Sequence, residues 1–155
     1  MSATAEGLKQ STVAQYCKLL RLPTVAGQCR QLAEQAEREH HTYLAYLEAL
    51  LIAEVEERER RLVGRRLVDA HLPRVKTLEE FDFSQTPSVS AANIAALAEG
   101  GYIERAEPVV FIGDSGTGKT HLLTGLCVAA CRQKRRVRFA TAANLVNELV
   151  EAKQQ

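Results

Sequence analysis

One eight-residue motif constrains the fold of this chain more than any other feature of its sequence. Residues 113–120 spell G-D-S-G-T-G-K-T, follow the apolar run Val109–Ile112 and lead into the apolar, helix-like stretch Leu122–Ala130. Glycines at 113, 116 and 118 allow a tight turn in which successive N–H groups surround an anion. A strand, this loop and a helix in that order are the context of a P-loop.

The residues of this loop have separate predicted roles. Lys119 supplies a point charge for the β and γ phosphates of a nucleotide, and Thr120 supplies a hydroxyl ligand for Mg²⁺. The first turn of the following helix adds unpaired N–H groups and the positive end of its dipole. Because the full eight-residue motif stands between a predicted strand and a predicted helix, a glycine-rich turn that merely joins the two is disfavoured. The predicted cofactors are ATP and Mg²⁺, and the predicted contact residues are Gly113, Asp114, Ser115, Gly116, Thr117, Gly118, Lys119, Thr120 and His121.

The first 75 residues have the spacing of a helical module. We predict a helix from Ser11 or Thr12 to Leu22, closed by Pro23, then a second helix and a third over about residues 42–72. We expect these helices to pack antiparallel around a leucine-rich seam. The apolar stripes that predict the second and third helices are Val25, Cys29, Leu32 and Ala36, then Leu44, Leu47, Leu51 and Val55.

Residues 76–107 are predicted to be a connector with one short helix, from about Ser90 to Glu99, that Gly100 and Gly101 terminate. The pair Phe81 and Phe83 within it could cover a nucleotide base or plug a hydrophobic surface, and we favour the plug. Residues 108–155 form the third predicted region, with a second strand at Val137–Ala140 and a helix over Ala142–Lys153.

Charge is uneven along the helical module. Residues 34–57 carry seven acidic side chains, and the stretch from Arg58 to Lys76 is mostly basic. Because Arg58, Arg60 and Arg61 each follow a glutamate by four residues, we expect them to form ion pairs on the helix. The other basic residues either contact a DNA backbone or are merely solvated. The candidates for DNA contact are Arg65, Arg66, Arg74 and Lys76, with Lys134, Arg135 and Arg136 in the turn after the P-loop helix.

Composition narrows the class of protein further. No apolar run approaches the ~18 residues that cross a bilayer, and residues 1–10 lack the pattern of a signal peptide. We therefore predict a cytoplasmic protein that does not act in a membrane. Cys17, Cys29, Cys127 and Cys131 lack C-x-x-C spacing, so packed thiols are favoured over a metal site.

The sequence resembles the IstB-type helper ATPases of insertion sequences. The resemblance is carried by Lys76–Phe83, by G-D-S-G-T-G-K-T-H-L-L at 113–123, by Val137–Phe139 and by Asn144–Leu149. It implies an AAA+ protein related to the DnaC-type helicase loaders that assembles on DNA with ATP and assists transposition. The partners that it implies are non-specific DNA, a cognate transposase and further copies of the same chain.

The expected fold class is α/β: an N-terminal helical module followed by an incomplete AAA+ P-loop NTPase domain. The Walker B acid, the sensor residues and the arginine finger of the family have no counterpart in the chain, so we expect ATP to be bound better than it is hydrolysed. Whether the chain acts as an enzyme is therefore open. The family's sheet order, 5-1-4-3-2, would also leave the two predicted strands apart.

Three other hypotheses remain open from the sequence. The chain could be a fragment of a DnaC-like helicase loader, because both families use the same P-loop. It could be a DNA-binding or interaction module that works without ATP. It could also be a non-functional remnant of a truncated mobile-element gene.

Overall fold

The structure, a computed structural model, describes residues 2–154, and helices dominate that range. They are α1 (Ser2–Leu19), α2 (Pro23–Arg38), α3 (Tyr43–Asp69), α4 (Ala91–Ala98), α5 (Gly101–Glu104), α6 (Lys119–Arg132) and α7 (Ala142–Gln154). Contacts divide the chain into two compact units, Met1–Arg61 and Leu62–Gln155. The predicted domain boundaries after residues 75 and 107 remain predictions. Residue 1, where the first predicted domain begins, and residue 155, where the last one ends, lie outside the described residues.

The first unit shows that Pro23 begins a helix. Helix α1 ends at Leu19, Arg21 takes a positive φ of 57°, and Pro23 occupies the first turn of α2. A proline at this position loses no intrahelical hydrogen bond, because its N–H would have had no partner in the helix. The prediction that the first helix continues to Leu22 is therefore wrong by three residues.

Helices α2 and α3 run antiparallel, and a buried carboxylate joins them. Glu54, only 3% exposed, accepts hydrogen bonds from the backbone N–H groups of Thr24 (2.8 Å) and Val25 (3.2 Å). Near the start of α3, the Tyr46 hydroxyl donates to the Cys29 carbonyl of α2 at 2.9 Å. The carboxylate thus supplies acceptors to the unpaired N–H groups in the first turn of α2.

The predicted leucine seam faces outward. Leu44 is 74% exposed, and Leu47, Leu51 and Val55 are about half exposed, whereas the neighbouring Leu50 is buried. Adjacent residues on a helix point about 100° apart. The stripe that faces α2 therefore consists of the residues one position before the predicted stripe: Tyr46, Leu50 and Glu54. The hydrogen bonds that Glu54 accepts and that Tyr46 donates hold α3 in this rotation, which corrects the predicted seam.

The second unit packs around α6. Leu122, Leu126, Val128 and Cys131 of α6 are buried, and Ile94 of α4 is buried with them. As predicted, α4 ends at a glycine: Gly100 is left-handed with φ 82°. At the other end of α4 the Ser90 hydroxyl accepts from the Asn93 N–H at 3.3 Å, a cap that was not predicted. The four-residue helix α5 follows directly and was not predicted.

No β-strand forms within residues 2–154, so the predicted α/β class is not confirmed and the described fold is helical. The residues of the predicted strands, 109–112 and 137–140, have no regular secondary structure. They do not pair with each other, and the Phe139 N–H instead donates to the Ala70 carbonyl at 2.8 Å. Ile112 is 92% exposed. A segment becomes a strand only through a ladder of hydrogen bonds to a neighbouring segment, and no such ladder forms within residues 2–154.

Candidate functional site

The loop at residues 113–118 turns through two left-handed glycines. Gly116 and Gly118 both have φ 82°, a conformation that strains residues with side chains. Gly118 is the N-cap of α6, and its carbonyl accepts the first helical hydrogen bond, from the Leu122 N–H at 3.0 Å. The N–H groups of the residues between Gly118 and Leu122 therefore have no intrahelical partner. They point out of the helix start, where they can bind an anion.

Lys119 lies back over this loop. Its ammonium donates to the Asp114 carbonyl and lies 3.3 Å from the Thr117 hydroxyl. The Thr117 hydroxyl in turn donates to the same Asp114 carbonyl at 2.9 Å. A mobile cation is thus placed beside the N–H groups of the loop, which fits the charge and the acceptor oxygens of a triphosphate.

Thr120 and His121, although adjacent, have different surroundings. Thr120 is exposed at the first turn of α6, and one hydroxyl ligand suits Mg²⁺, which usually keeps waters and phosphate oxygens as its other ligands. The His121 ring instead lies against the connector, with Nε2 2.9 Å from the Thr77 carbonyl oxygen. The structure therefore brings the predicted loop residues together and turns the His121 side chain to a different partner.

The connector packs along one face of α6, a contact that the sequence reasoning missed. A Cβ at Gly118 would come within 2.6 Å of the Phe81 ring, and one at Gly125 within 2.5 Å of the Leu78 side chain. Phe81 also packs edge-on against His121 (5.2 Å between ring centres). These contacts favour the plug interpretation of Phe81. The available signal was Gly125, a glycine within an apolar helix.

The arginines at the middle of α3 are in ion pairs, as expected. Arg58 Nε lies 2.8 Å from Glu54, and Arg61 Nε lies 2.7 Å from Glu57. Arg60 pairs with Glu57 at 2.7 Å, an i,i+3 contact, and not with Glu56 as the spacing predicted.

The remaining predicted DNA contacts have unequal surroundings. Arg66 is half-buried, and its Nε is buried with no hydrogen-bond partner among the described residues. Arg135 pairs with Glu104 at 2.7 Å. Lys134 has a partner of its own. In the described part of the chain, the candidates without an ion pair are Arg65, Arg66, Arg74, Lys76 and Arg136.

The two cysteines of α6 pack within the second unit. Cys131 is fully buried, and its thiol lies 3.6 Å from the Arg66 carbonyl oxygen. Burial raises the pKa of both Cys127 and Cys131, which keeps these thiols protonated near neutral pH. Over residues 2–154, no three His, Cys, Asp or Glu side chains gather as metal ligands would. No helix in the same range is long and apolar enough to cross a membrane.

A glycine loop that follows the apolar run Val109–Ile112, with Lys119 over it and a helix that begins at it, defines the class of P-loop nucleotide-binding proteins. The model of the IstB-like ATP binding protein family matches residues 15–155, and the chain belongs to that family.

Curated relatives agree with this assignment. The chain is 35% identical over 143 residues to the ATP-binding protein of insertion sequence IS5376 from Geobacillus stearothermophilus, covering 92% of this chain and 57% of the relative. It is 37% identical to an insertion sequence ATP-binding protein of Sinorhizobium fredii, over 88% of this chain and 46% of the relative. The IS21 ATP-binding protein of Pseudomonas aeruginosa is 36% identical, over 88% of this chain and 51% of the relative. The chain thus spans about half the length of these relatives.

Proposed function

We propose that this chain binds Mg-ATP through residues 113–120 as part of an insertion-sequence helper of the IstB type. The observation that carries the proposal is the position of Lys119, which lies over a loop of N–H groups at the start of α6. A triphosphate would accept from those N–H groups and from Lys119, while Thr120 would supply a hydroxyl ligand to Mg²⁺, which would neutralise phosphate charge. His121 would support the site from behind through Thr77, without a direct contact to phosphate.

The test of this site is the substitution Lys119→Ala. Loss of a charge-assisted hydrogen bond to phosphate should weaken Mg-ATP binding by about tenfold or more, which calorimetry or a fluorescent ATP analogue would measure. Lys153→Ala, at the exposed end of α7, removes the same charge elsewhere and should leave the affinity unchanged. Equal affinities for the parent and the Lys119→Ala variant would refute a nucleotide site at this loop.

The wider activity that we propose is assistance to DNA transposition by an AAA+ assembly with a cognate transposase, in the cytoplasm. The names of the relatives support an insertion-sequence helper over a helicase loader. Self-association is part of the proposal, and the exposed apolar residues of α3 and α7 support it, because they would gain from burial. Sedimentation with and without Mg-ATP measures this self-association directly.

DNA contact is the other part of the proposed activity, through basic side chains that bind phosphates without reading sequence. Among the predicted residues, Arg65, Arg74, Lys76 and Arg136 make no ion pair within the described chain, and this favours them over Arg135, which pairs with Glu104. Arg66 also lacks an ion pair, but its Nε is buried and therefore less accessible to phosphate. Lys134 remains a candidate through its charge alone. A fall in affinity for duplex DNA as salt is raised is the expected signature, and binding that is insensitive to salt would contradict phosphate contact.

A further inference from the structure

Two of the unpaired basic side chains border the start of α6. Arg74 and Lys76 line a pocket together with Pro73, Thr120, His121 and Thr124. Neither cation has an acidic partner among the described residues. The pocket therefore combines two positive charges with the hydroxyl-bearing residue Thr120, our proposed Mg²⁺ ligand.

The contacts between the connector and α6 determine where these cations lie. Thr77, Leu78 and Phe81 meet His121, Gly125 and Gly118, which are spaced by three and four residues along one face of the helix. A further ion pair joins Glu79 to Arg132 at 2.9 Å. Lys76 directly precedes this segment, whose contacts with α6 therefore hold Lys76 beside the helix.

The chemistry of the pocket suits a phosphate group. Arginine and lysine bind phosphate oxygens, and the nearby helix start adds the positive end of a dipole. A bound triphosphate would already be matched by the loop N–H groups and Lys119. The pocket also reaches Thr124, one turn further along α6 than Thr120, so it extends past the loop.

We propose that Arg74 and Lys76 form a binding site for the phosphate backbone of DNA, next to the nucleotide site and reaching Thr120. This proposal rests on the DNA-contacting function proposed above and assigns it to one pocket. Because the pocket shares Thr120 with the proposed nucleotide site, DNA and nucleotide would bind next to each other at the start of α6.

The test measures binding of a fluorescent DNA duplex to the full chain by anisotropy over a series of salt concentrations. The double variant Arg74→Ala/Lys76→Ala should bind about tenfold or more weakly, and the slope of log affinity against log salt should fall by about 1.8, or 0.9 for each lost phosphate contact. The charge-conserving variant Arg74→Lys/Lys76→Arg should retain most of the binding. Arg38→Ala/Lys153→Ala, with the same loss of charge at other exposed positions, is the matched control.

Three results would overturn the proposal, and they differ in what they say about the function. Equal DNA binding by the alanine variant and the control would exclude the pocket while leaving the wider function intact. A large loss of Mg-ATP affinity in the alanine variant, with DNA binding unchanged, would assign the pocket to nucleotide phosphate. A parent chain that does not bind DNA at any salt concentration would refute the DNA function itself.

Discussion

At the scale of single residues, Glu54 shows how a carboxylate in an acidic stretch becomes structural. Burial by itself raises the pKa of Glu54, but hydrogen bonds from the Arg58 side chain and from the N–H groups of Val25 and Thr24 outweigh it, so the pKa lies below its ordinary value of 4.5. A depressed pKa means that folding favours the ionised form. The stabilisation is therefore present above about pH 4.5 and is lost as the pH falls through the folded-state pKa.

The corresponding prediction concerns Glu54→Gln, which keeps the shape and removes the charge. We expect the free energy of unfolding at pH 7 to fall by about 1–3 kcal/mol, because the amide replaces one acceptor of a buried network with a donor. Glu48→Gln, on an exposed position of the same helix, should change it by under about 0.5 kcal/mol. Urea unfolding followed by circular dichroism measures both. A deficit that stays constant down to pH 3 would contradict the proposed role of the charge.

Single residues also show what the sequence could predict of the site. The motif gave Lys119 and Thr120 their positions, because the loop and the first helical turn form from local backbone alone. It grouped His121 with them by adjacency, yet the next residue on a helix points about 100° away. The partners of His121, Thr77 and Phe81, lie about forty residues earlier in the chain, and no local rule connects them.

At the scale of elements, the connector and α6 form one packed pair. Leu78 fills the space that a side chain at residue 125 would occupy, with its Cδ2 2.5 Å and its backbone N 3.2 Å from a Cβ placed there. Glycine inside a helix ordinarily costs about 1 kcal/mol relative to alanine. Its presence at 125 is therefore explained by the close approach of the connector.

A double-mutant cycle tests this contact. Gly125→Ala should gain about 1 kcal/mol in helix propensity and lose about 1–3 kcal/mol through the clash with Leu78, so the net destabilisation should lie between about zero and 2 kcal/mol. A Leu78→Ala background removes the contacts with Cδ2 and Cγ and keeps the backbone N at 3.2 Å, so the same change at 125 should destabilise less than in the parent. Thermal unfolding of the four proteins gives the coupling energy. Additive effects of the two substitutions would show that the residues do not touch.

Elements also differ in how far local sequence determines them. Helix α4 was predictable because Ser90 and Gly100 supply both caps from side chains and backbone close in sequence. The strands at 109–112 and 137–140 were not, because pairing depends on which segment lies alongside. Their apolar runs predict strands, but a sheet also needs a ladder of hydrogen bonds to a neighbouring segment, which does not form among the described residues.

At the scale of the whole molecule, binding and hydrolysis of ATP are expected to separate. Hydrolysis needs an acidic side chain near Mg²⁺ and positive charge on the transition state, beyond the phosphate loop itself. We expect purified chain with Mg-ATP to release less than about one phosphate per chain over an hour, far below the 1–10³ s⁻¹ of typical enzymes. A phosphate-release assay checks this, with Lys119→Ala as the blank. Sustained turnover that the blank lacks would show that the chain completes its own catalytic site.

The ammonium of Lys119 has a consequence for how fast and how tightly a triphosphate is captured. This ammonium already donates to the Asp114 carbonyl and to the Thr117 hydroxyl. Entry of the proposed nucleotide would then be an exchange reaction in which the ammonium leaves these internal acceptors for the incoming phosphates. The apparent affinity for nucleotide would be the intrinsic affinity multiplied by the fraction of chains in which Lys119 has left these internal acceptors.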